Sequence, residues 1–189
     1  YENDGSGNFK KLEAALPEFL VSGSCVKASD YDQDGDLDLF IGGRLQPGKY
    51  PLPTNSYLLE NISEAGEIQF RDATSEDCPD LTDLGLVMDA LWTDFNNDHQ
   101  ADLVVVGEWM PITFFENRNG KLVNVTDQTG ISQYTGLWKS LAGADFDNDG
   151  DLDIVTCALY GNKVVWYENR INEVSAEKIG VLFVGAGEE

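Results

Sequence analysis

The sequence is short of positive charge. Its 189 residues include 12 Lys and Arg against 34 Asp and Glu, which gives a formal net charge of −22. Proteins that bind nucleic acids or insert into anionic membrane surfaces need a basic surface, so we expect neither kind of partner. No stretch approaches 18 uninterrupted apolar residues, and no membrane-spanning segment is predicted. Cations are the natural counterparts of such a chain.

Histidine and cysteine are also scarce. His99 is the only histidine, so a Ser-His-Asp or Cys-His catalytic group would have to use it. No phosphate-binding glycine motif occurs either, and we expect no catalytic role. The three cysteines cannot all pair with one another. Cys25 and Cys157 are predicted to be small buried residues in or beside strands, and Cys78 a loop thiol.

What the sequence does contain is a repeat. Three aspartate-rich segments begin at Asp30, Asp94 and Asp145, so they are spaced by 64 and 51 residues. Each leads into an apolar run and then into a second run that ends in Glu-Asn, at residues 56–61, 112–117 and 163–169. Third runs follow at 68–74 and 121–127. The runs are short and rich in β-branched and aromatic residues, which predicts an all-β chain of about three four-stranded units.

The spacing also predicts the boundaries of the repeats within a single region, 1–189. These are the end of a preceding repeat at 1–22, followed by repeats at 23–86, 87–137 and 138–189. The opening Tyr-Glu-Asn matches the Glu-Asn turn of a repeat, so we expect the chain to begin in mid-repeat, at a cut end that lacks an initiating Met. The final segment, KIGVLFVGAGEE, has no obvious counterpart and is predicted to pair with the strand near Tyr1.

The aspartate-rich loops have the chemistry of a site for a hard cation. Carboxylates on alternate residues can converge on an ion that takes six to eight oxygen ligands, and a glycine at position 6 allows the sharp turn. Positions 1, 3, 5 and 9 would contribute side chains, and position 7 its carbonyl oxygen. In chain order, the predicted ligands are Asp30, Asp32, Asp34, Asp36 and Asp38; Asp94, Asn96, Asp98, Gln100 and Asp102; Asp145, Asp147, Asp149, Asp151 and Asp153.

Calcium is the predicted ion, at up to three sites. Magnesium prefers strict octahedral geometry with retained waters, and zinc is poorly served by oxygen ligands alone. The loop at 94–102 should bind most weakly, because Asn96 removes a negative charge and His99 replaces the glycine at position 6. A non-glycine residue in the left-handed conformation expected there is strained.

An EF-hand is the main structural alternative, since its loop opens with the same alternation of acids. It requires a bidentate Glu at position 12, whereas these loops have Ile41, Val105 and Thr156 there. It also requires flanking helices, and these loops run directly into strand-like sequence. The sequence therefore favours loops that join strands.

In these loops and strands, the chain resembles the FG-GAP or VCBS-type repeats, which build integrin-alpha-like β-propellers. SDYDQDGDLDLFIGG, TDFNNDHQADLVVVGEW and ADFDNDGDLDIVTCALYGN carry the resemblance, with FRDAT and VNVTD in the later strands. It implies β-propeller-type blades, in a fragment of a larger propeller or one completed by an oligomer, with calcium in the loops. It also implies an extracellular, cell-surface or periplasmic location.

The function expected from this resemblance is that of a calcium-binding, non-catalytic module for protein or glycan binding and adhesion. The alternative is the propeller part of a secreted polysaccharide-degrading enzyme. The partner would be a protein or carbohydrate ligand, contacted through the long loop at 42–56, with self-association through open sheet edges as a further expectation. Of the four tryptophans, Trp109 is predicted to be exposed near a turn and the others to fill space between sheets.

Overall fold

The computed structural model describes residues 1–19, 21–159, 163–169 and 179–185. The described chain is all-β, as predicted, and its one α-helix, α1, is the single turn Thr74–Asp77. The strands are short, rich in β-branched and aromatic residues, and separated by Gly, Asn and Asp, which explains why they form. No helix in the described ranges has the length and apolar character needed to cross a bilayer.

Two strands at the start of the chain form a hairpin, and the next four form an antiparallel meander that we call unit 1. The hairpin strands are β1 (Glu2–Asn3) and β2 (Phe9–Lys10). Unit 1 has the order β3-β4-β5-β6. Its strands are β3 (Ser22–Ser29), β4 (Asp38–Leu45), β5 (Tyr57–Asn61) and β6 (Phe70–Asp72).

Units 2 and 3 repeat this meander and are joined into one eight-stranded sheet. Unit 2 consists of β7 (Leu86–Thr93), β8 (Asp102–Pro111), β9 (Thr113–Asn117) and β10 (Leu122–Asn124). Unit 3 consists of β11 (Thr135–Ala144), β12 (Asp153–Ala158), β13 (Lys163–Asn169) and β14 (Ile179–Gly185). The join is the pairing of the first residues of β11 with the end of β8. The described strands close no ring, so the number of blades remains a prediction.

The hydrophobic core lies between the units. One cluster includes Phe40 and Leu58 of unit 1 packed against Leu103 and Phe115 of unit 2. The other includes Phe114 of unit 2 among side chains of unit 3. Because successive residues of a strand point to opposite faces, each central strand of unit 2 contributes to both clusters.

The final strand differs from the prediction. β14 pairs with β13 along its whole length, Ile179 opposite Asn169 and Gly185 opposite Lys163. The prediction that it pairs near Tyr1 is therefore wrong, since β1 pairs with β2. The reason is topological: the fourth strand of a meander completes the sheet of its own unit, as β6 and β10 do.

The loop predicted at 42–56 is shorter than expected, because β4 continues to Leu45. Gly42 and Gly43 lie within the strand, and a side chain on Gly43 would overlap the carbonyl oxygen of Asn55. These glycines allow close packing of the backbone and do not mark a turn.

The cysteines are free thiols. Cys25 and Cys157 lie in strands β3 and β12, as expected, but they are half-buried and not buried as predicted. Cys78 follows α1 but is completely buried in the cluster between units 1 and 2, and burial raises the pKa of its thiol.

Candidate metal sites

Each aspartate-rich loop joins the first and second strands of its unit. Loop 1 (30–38) connects β3 to β4, loop 2 (94–102) connects β7 to β8, and loop 3 (145–153) connects β11 to β12. Strands flank all three loops, which confirms the argument against an EF-hand.

The three loops share one internal pattern of hydrogen bonds. The side chain at position 1 accepts the backbone N–H of position 6, from Gly35 to Asp30 at 3.2 Å and from Gly150 to Asp145 at 3.2 Å. In loop 2, His99 donates in the same way to Asp94 at 2.8 Å. Position 3 accepts the N–H of position 5 in every loop. The backbone therefore folds the alternate side chains towards one another before any ion is considered.

Two positions in each loop have left-handed backbone. At position 6, Gly35 and Gly150 have φ of +103° and +94°, and His99 has +68°. The predicted strain at His99 is thus confirmed. Position 4 was missed by sequence reasoning: Gln33, Asn97 and Asn148 have φ of 61–63°. The amides at this position are the only sequence signal, since Asn tolerates this conformation better than most residues.

The carboxylate at position 9 is the buried anchor of each loop. Asp38, Asp102 and Asp153 are all 0% exposed. In loop 1, the oxygens of Asp38 accept the N–H of Tyr31 at 3.3 Å and that of Asn61 at 2.8 Å. Burial raises the pKa of Asp38 to about 6 and that of Asp102 to about 7. A buried carboxylate with a raised pKa is one that a nearby cation would stabilise in its charged form.

Carboxylates converge in loops 1 and 3. Oxygens of Asp30, Asp32 and Asp38 lie within 4.8 Å of one another, and so do those of Asp145, Asp147 and Asp149. Partial burial and neighbouring carboxylates raise the pKa of Asp32. Loop 2 has no group of three acids at this spacing among the described residues. Its Asp98 instead accepts the side-chain amides of Asn96 at 3.1 Å and Gln100 at 3.2 Å.

Two oxygens of loop 1 are buried without a hydrogen bond. They are Oδ1 of Asp30 and Oδ1 of Asp36. A buried polar atom normally has a partner, and a charged one without any is costly. Carboxylate oxygens of Asp30, Asp32 and Asp38 converge in this loop, and carboxylate oxygens are ligands of a hard divalent cation. The residues present therefore fit calcium, which would neutralise the mutual repulsion of the carboxylates.

The asparagines of the Glu-Asn pairs belong to the loops, although the sequence assigned them no role. Besides the backbone bond to position 9, the side chains of Asn61, Asn117 and Asn169 donate to the carbonyl of position 8 at 3.2, 3.0 and 3.4 Å. The only indication of this role in the sequence is that an asparagine recurs at the end of each second apolar run.

Residues 94–156 match the family model of the FG-GAP-like repeat. The match begins at the first aspartate of loop 2 and ends within β12, so it includes loops 2 and 3. No curated protein matches the chain. FG-GAP repeats are typical of extracellular or periplasmic proteins. The match confirms the resemblance on which the sequence was interpreted for this part of the chain: residues 94–156 are similar to an FG-GAP-like repeat.

Proposed function

We propose that the chain is a calcium-binding, non-catalytic module of an extracellular or periplasmic protein, which presents a surface for a protein or glycan ligand. Calcium would lie in loops 1 and 3 and, more weakly, in loop 2. The proposal has no catalytic component, and the position of the only histidine agrees with that: the side chain of His99 is 96% exposed and its Nδ1 is 3.8 Å from Asp94.

The observation that carries the calcium proposal is the pair of buried oxygens in loop 1. Asp30 Oδ1 and Asp36 Oδ1 accept no hydrogen bond, and Asp32 and Asp38 converge beside Asp30. Like charges held this close destabilise the folded chain unless a cation lies among them. Asp30, Asp32 and Asp38 would hold the ion, and Asp34 and Asp36 would complete its oxygen ligands. Bound calcium would supply charge neutralisation and fix the loop between β3 and β4.

Calorimetric titration of the chelator-treated chain with calcium tests this part of the proposal. We expect binding heat and a rise in melting temperature, since each site stabilises the folded state by about 2.7 kcal/mol at a hundred times its dissociation constant. Asp32→Asn should weaken calcium binding in loop 1, because it leaves at position 3 the neutral amide that Asn96 provides in loop 2. Asp127→Asn is the matched control, because it removes one exposed carboxylate from the turn after β10. Absence of binding heat, or equal effects of the two substitutions, would contradict the proposal.

The ligand surface we propose lies at the opposite ends of the strands from the metal loops, where β4 leads to β5 and β8 to β9. Trp109 is 62% exposed there, with a left-handed backbone at φ of +63°. A bulky residue in this conformation is strained, and such strain is often found at functional sites. Its indole Nε1 donates to the hydroxyl of Tyr50 at 3.1 Å, which holds the two exposed rings together.

All three units contribute to this surface. The buried Glu108 accepts from Arg44 of unit 1 at 3.2 Å and also from Lys139 of unit 3. The hydroxyl of Tyr50 is 3.4 Å from the second oxygen of Glu108. Fixed aromatic rings beside polar groups suit the apolar faces and hydroxyls of sugars, and equally the side chains of a protein.

Retention on a panel of immobilised polysaccharides, followed by a protein interaction screen, tests this surface. Trp109→Ala should reduce binding to any ligand found at least tenfold. Tyr1→Ala is the control, since Tyr1 is 84% exposed in the terminal hairpin and lies outside the surface. A ligand whose binding is unchanged by Trp109→Ala would place the binding surface elsewhere.

A further inference from the structure

Two asparagines connect loops 1 and 2, one each, to the unit that follows the loop. The side-chain amide of Asn117, in β9 of unit 2, donates to the carbonyl oxygen of Tyr31 in loop 1 at 2.7 Å. The amide of Asn169, in β13 of unit 3, donates to the carbonyl oxygen of Phe95 in loop 2 at 2.9 Å. The same bond thus occurs twice, one unit apart.

The residues that accept these bonds are at position 2 of their loops, next to the first predicted ligand. The N–H of Tyr31 donates to Asp38 at 3.3 Å, and that of Phe95 donates to Asp102 at 3.2 Å. Residue 31 is therefore held by its own loop through its N–H and by the next unit through its carbonyl. The path from Asn117 to the anchor carboxylate of loop 1 is two hydrogen bonds long.

Docking of the next unit changes the surroundings of a loop. Tyr31 is 1% exposed, and its ring stacks on Trp92 of unit 2 with the ring centroids 6.3 Å apart, whereas the equivalent Phe146 of loop 3 is 48% exposed. Asp30 and Asp32 are half-buried, but Asp145 and Asp147 are exposed. Loops 1 and 3 have the same ligand residues, and loop 1 is the one that the described residues of another unit, unit 2, cover.

We propose that Asn117 and Asn169 are positioning residues that couple cation binding in a loop to the docking of the following unit. Asn117 acts on loop 1, and Asn169 acts on loop 2. The inference rests on the calcium binding proposed above. A bound cation would order the loop and so fix the backbone carbonyl that accepts the hydrogen bond of the asparagine. The asparagine, in turn, would hold the loop in the conformation in which its carboxylates lie close together. Each event therefore favours the other, as linkage requires.

The test isolates loop 1 within the full chain. Asp98→Ala and Asp149→Ala remove ligands from loops 2 and 3, so that calcium titration of this background reports loop 1. Adding Asn117→Ala should weaken calcium binding about fivefold or more, which corresponds to loss of one buried hydrogen bond. Adding Asn169→Ala should change it less than twofold. Asn169 is the matched control, because it makes the same bond to loop 2.

The outcomes separate this inference from the proposed function. If the background binds no calcium, the proposed function fails and the coupling fails with it. If it binds calcium and the two asparagine variants behave alike, the coupling alone is wrong.

A second measurement covers the case in which Asn117→Ala does not fold. In the same background with Asn117 intact, hydrogen exchange is followed with and without calcium. The N–H of Gly120 donates to Asn117 Oδ1 at 2.9 Å, so calcium in loop 1 should slow its exchange, although Gly120 lies in unit 2. Protection limited to unit 1 would overturn the coupling.

Discussion

At the scale of single residues, backbone conformation distinguishes the three loops. Glycine at position 6 of loops 1 and 3 has φ near +100°, where a side chain is strongly disfavoured, and His99 has φ of +68° at the same place. The sequence allowed this strain to be predicted, because the aligned loops differ there. It did not allow the left-handed backbone at position 4 to be predicted, since residues such as Gln33 and Asn148 also adopt right-handed backbone conformations.

We predict that His99→Gly strengthens loop 2. The left-handed conformation costs a non-glycine residue about 1–2 kcal/mol, and glycine removes this strain. Glycine also increases the conformational entropy of the unfolded chain, which offsets part of the gain. The net expectation is a gain of up to about 1 kcal/mol and a rise in melting temperature of about 2–4 °C. Calcium affinity at loop 2 should rise as well. Titration calorimetry of a variant with loops 1 and 3 disabled measures it.

Ala65→Gly is the control for that prediction. Ala65 is exposed between β5 and β6, with φ of +52°, and lies outside the loops. It should stabilise the chain without changing calcium affinity. If His99→Gly affected stability alone, position 6 would not govern the site.

The ion-paired Glu108 gives a prediction for acid stability. The hydrogen bond from Lys139 and the positive charges of Lys139 and Arg44 hold the pKa of Glu108 below its ordinary value of 4.5. A lowered pKa means that this stabilisation is present above pH 4.5 and is lost as the pH falls through the folded-state value. Glu108→Gln should therefore cost about 1.5–3 kcal/mol at neutral pH. The difference from the unsubstituted chain should shrink towards pH 3.

Urea unfolding of both chains across this pH range measures the difference. Glu116→Gln is the control, because its pair with Arg118 lies at the surface and should contribute less than about 1 kcal/mol at any pH. If the loss of stability caused by Glu108→Gln does not change with pH, then the packing of the Glu108 side chain, and not its charge, stabilises its contacts with Lys139 and Arg44.

At the scale of elements, the order of strands followed from the sequence more readily than their packing. The apolar runs and the Glu-Asn turns predicted β4, β5, β8, β9 and their loops, because a period of two and turn residues leave a clear local pattern. The packing of each strand face against a particular unit depends on residues far apart in the sequence, so the local pattern does not predict it. The same is true of the partner of β14, which the local sequence of KIGVLFVGAGEE could not specify.

Strand β9 provides a test of the core between the units. Phe114 and Phe115 are adjacent and buried, yet Phe114 belongs to the cluster with unit 3 and Phe115 to the cluster with unit 1. Each change to alanine should cost about 3–5 kcal/mol. Their local effects should differ: Phe115→Ala should increase hydrogen exchange in β4 and β5, and Phe114→Ala in β12 and β13. Identical exchange patterns would contradict this division of the core.

At the scale of the whole molecule, acidity is concentrated in the loops. Thirteen of the 34 acids lie at 30–38, 94–102 and 145–153, and three divalent ions would reduce the formal charge from −22 to −16. Of the ligands predicted from the sequence, the structure brings together Asp30, Asp32 and Asp38 in loop 1 and Asp145, Asp147 and Asp149 in loop 3, because the spacing of acids along a loop is local. The sequence could not predict that a neighbouring unit covers loop 1 and leaves loop 3 exposed.

We predict that salt stabilises the calcium-free chain more than the calcium-loaded one. Added sodium chloride screens the repulsion among carboxylates, and bound calcium has already removed much of it. Melting temperatures over a series of salt concentrations, with chelator and with saturating calcium, should give a steeper rise in chelator. If the melting temperature rises equally with salt in chelator and in calcium, repulsion among the loop carboxylates contributes little to the effect of salt on stability.

The two bonds that asparagines make between units, from Asn117 and from Asn169, both run backwards along the described chain, from a unit to its predecessor. A loop therefore obtains its last backbone contact only when the unit after it has been synthesised. Under the coupling proposed above, the last loop of an array would lack this contact, and each earlier loop would gain cation affinity when the following unit docks. Such an array would then become ordered in one direction, with each unit completing the loop of the unit before it.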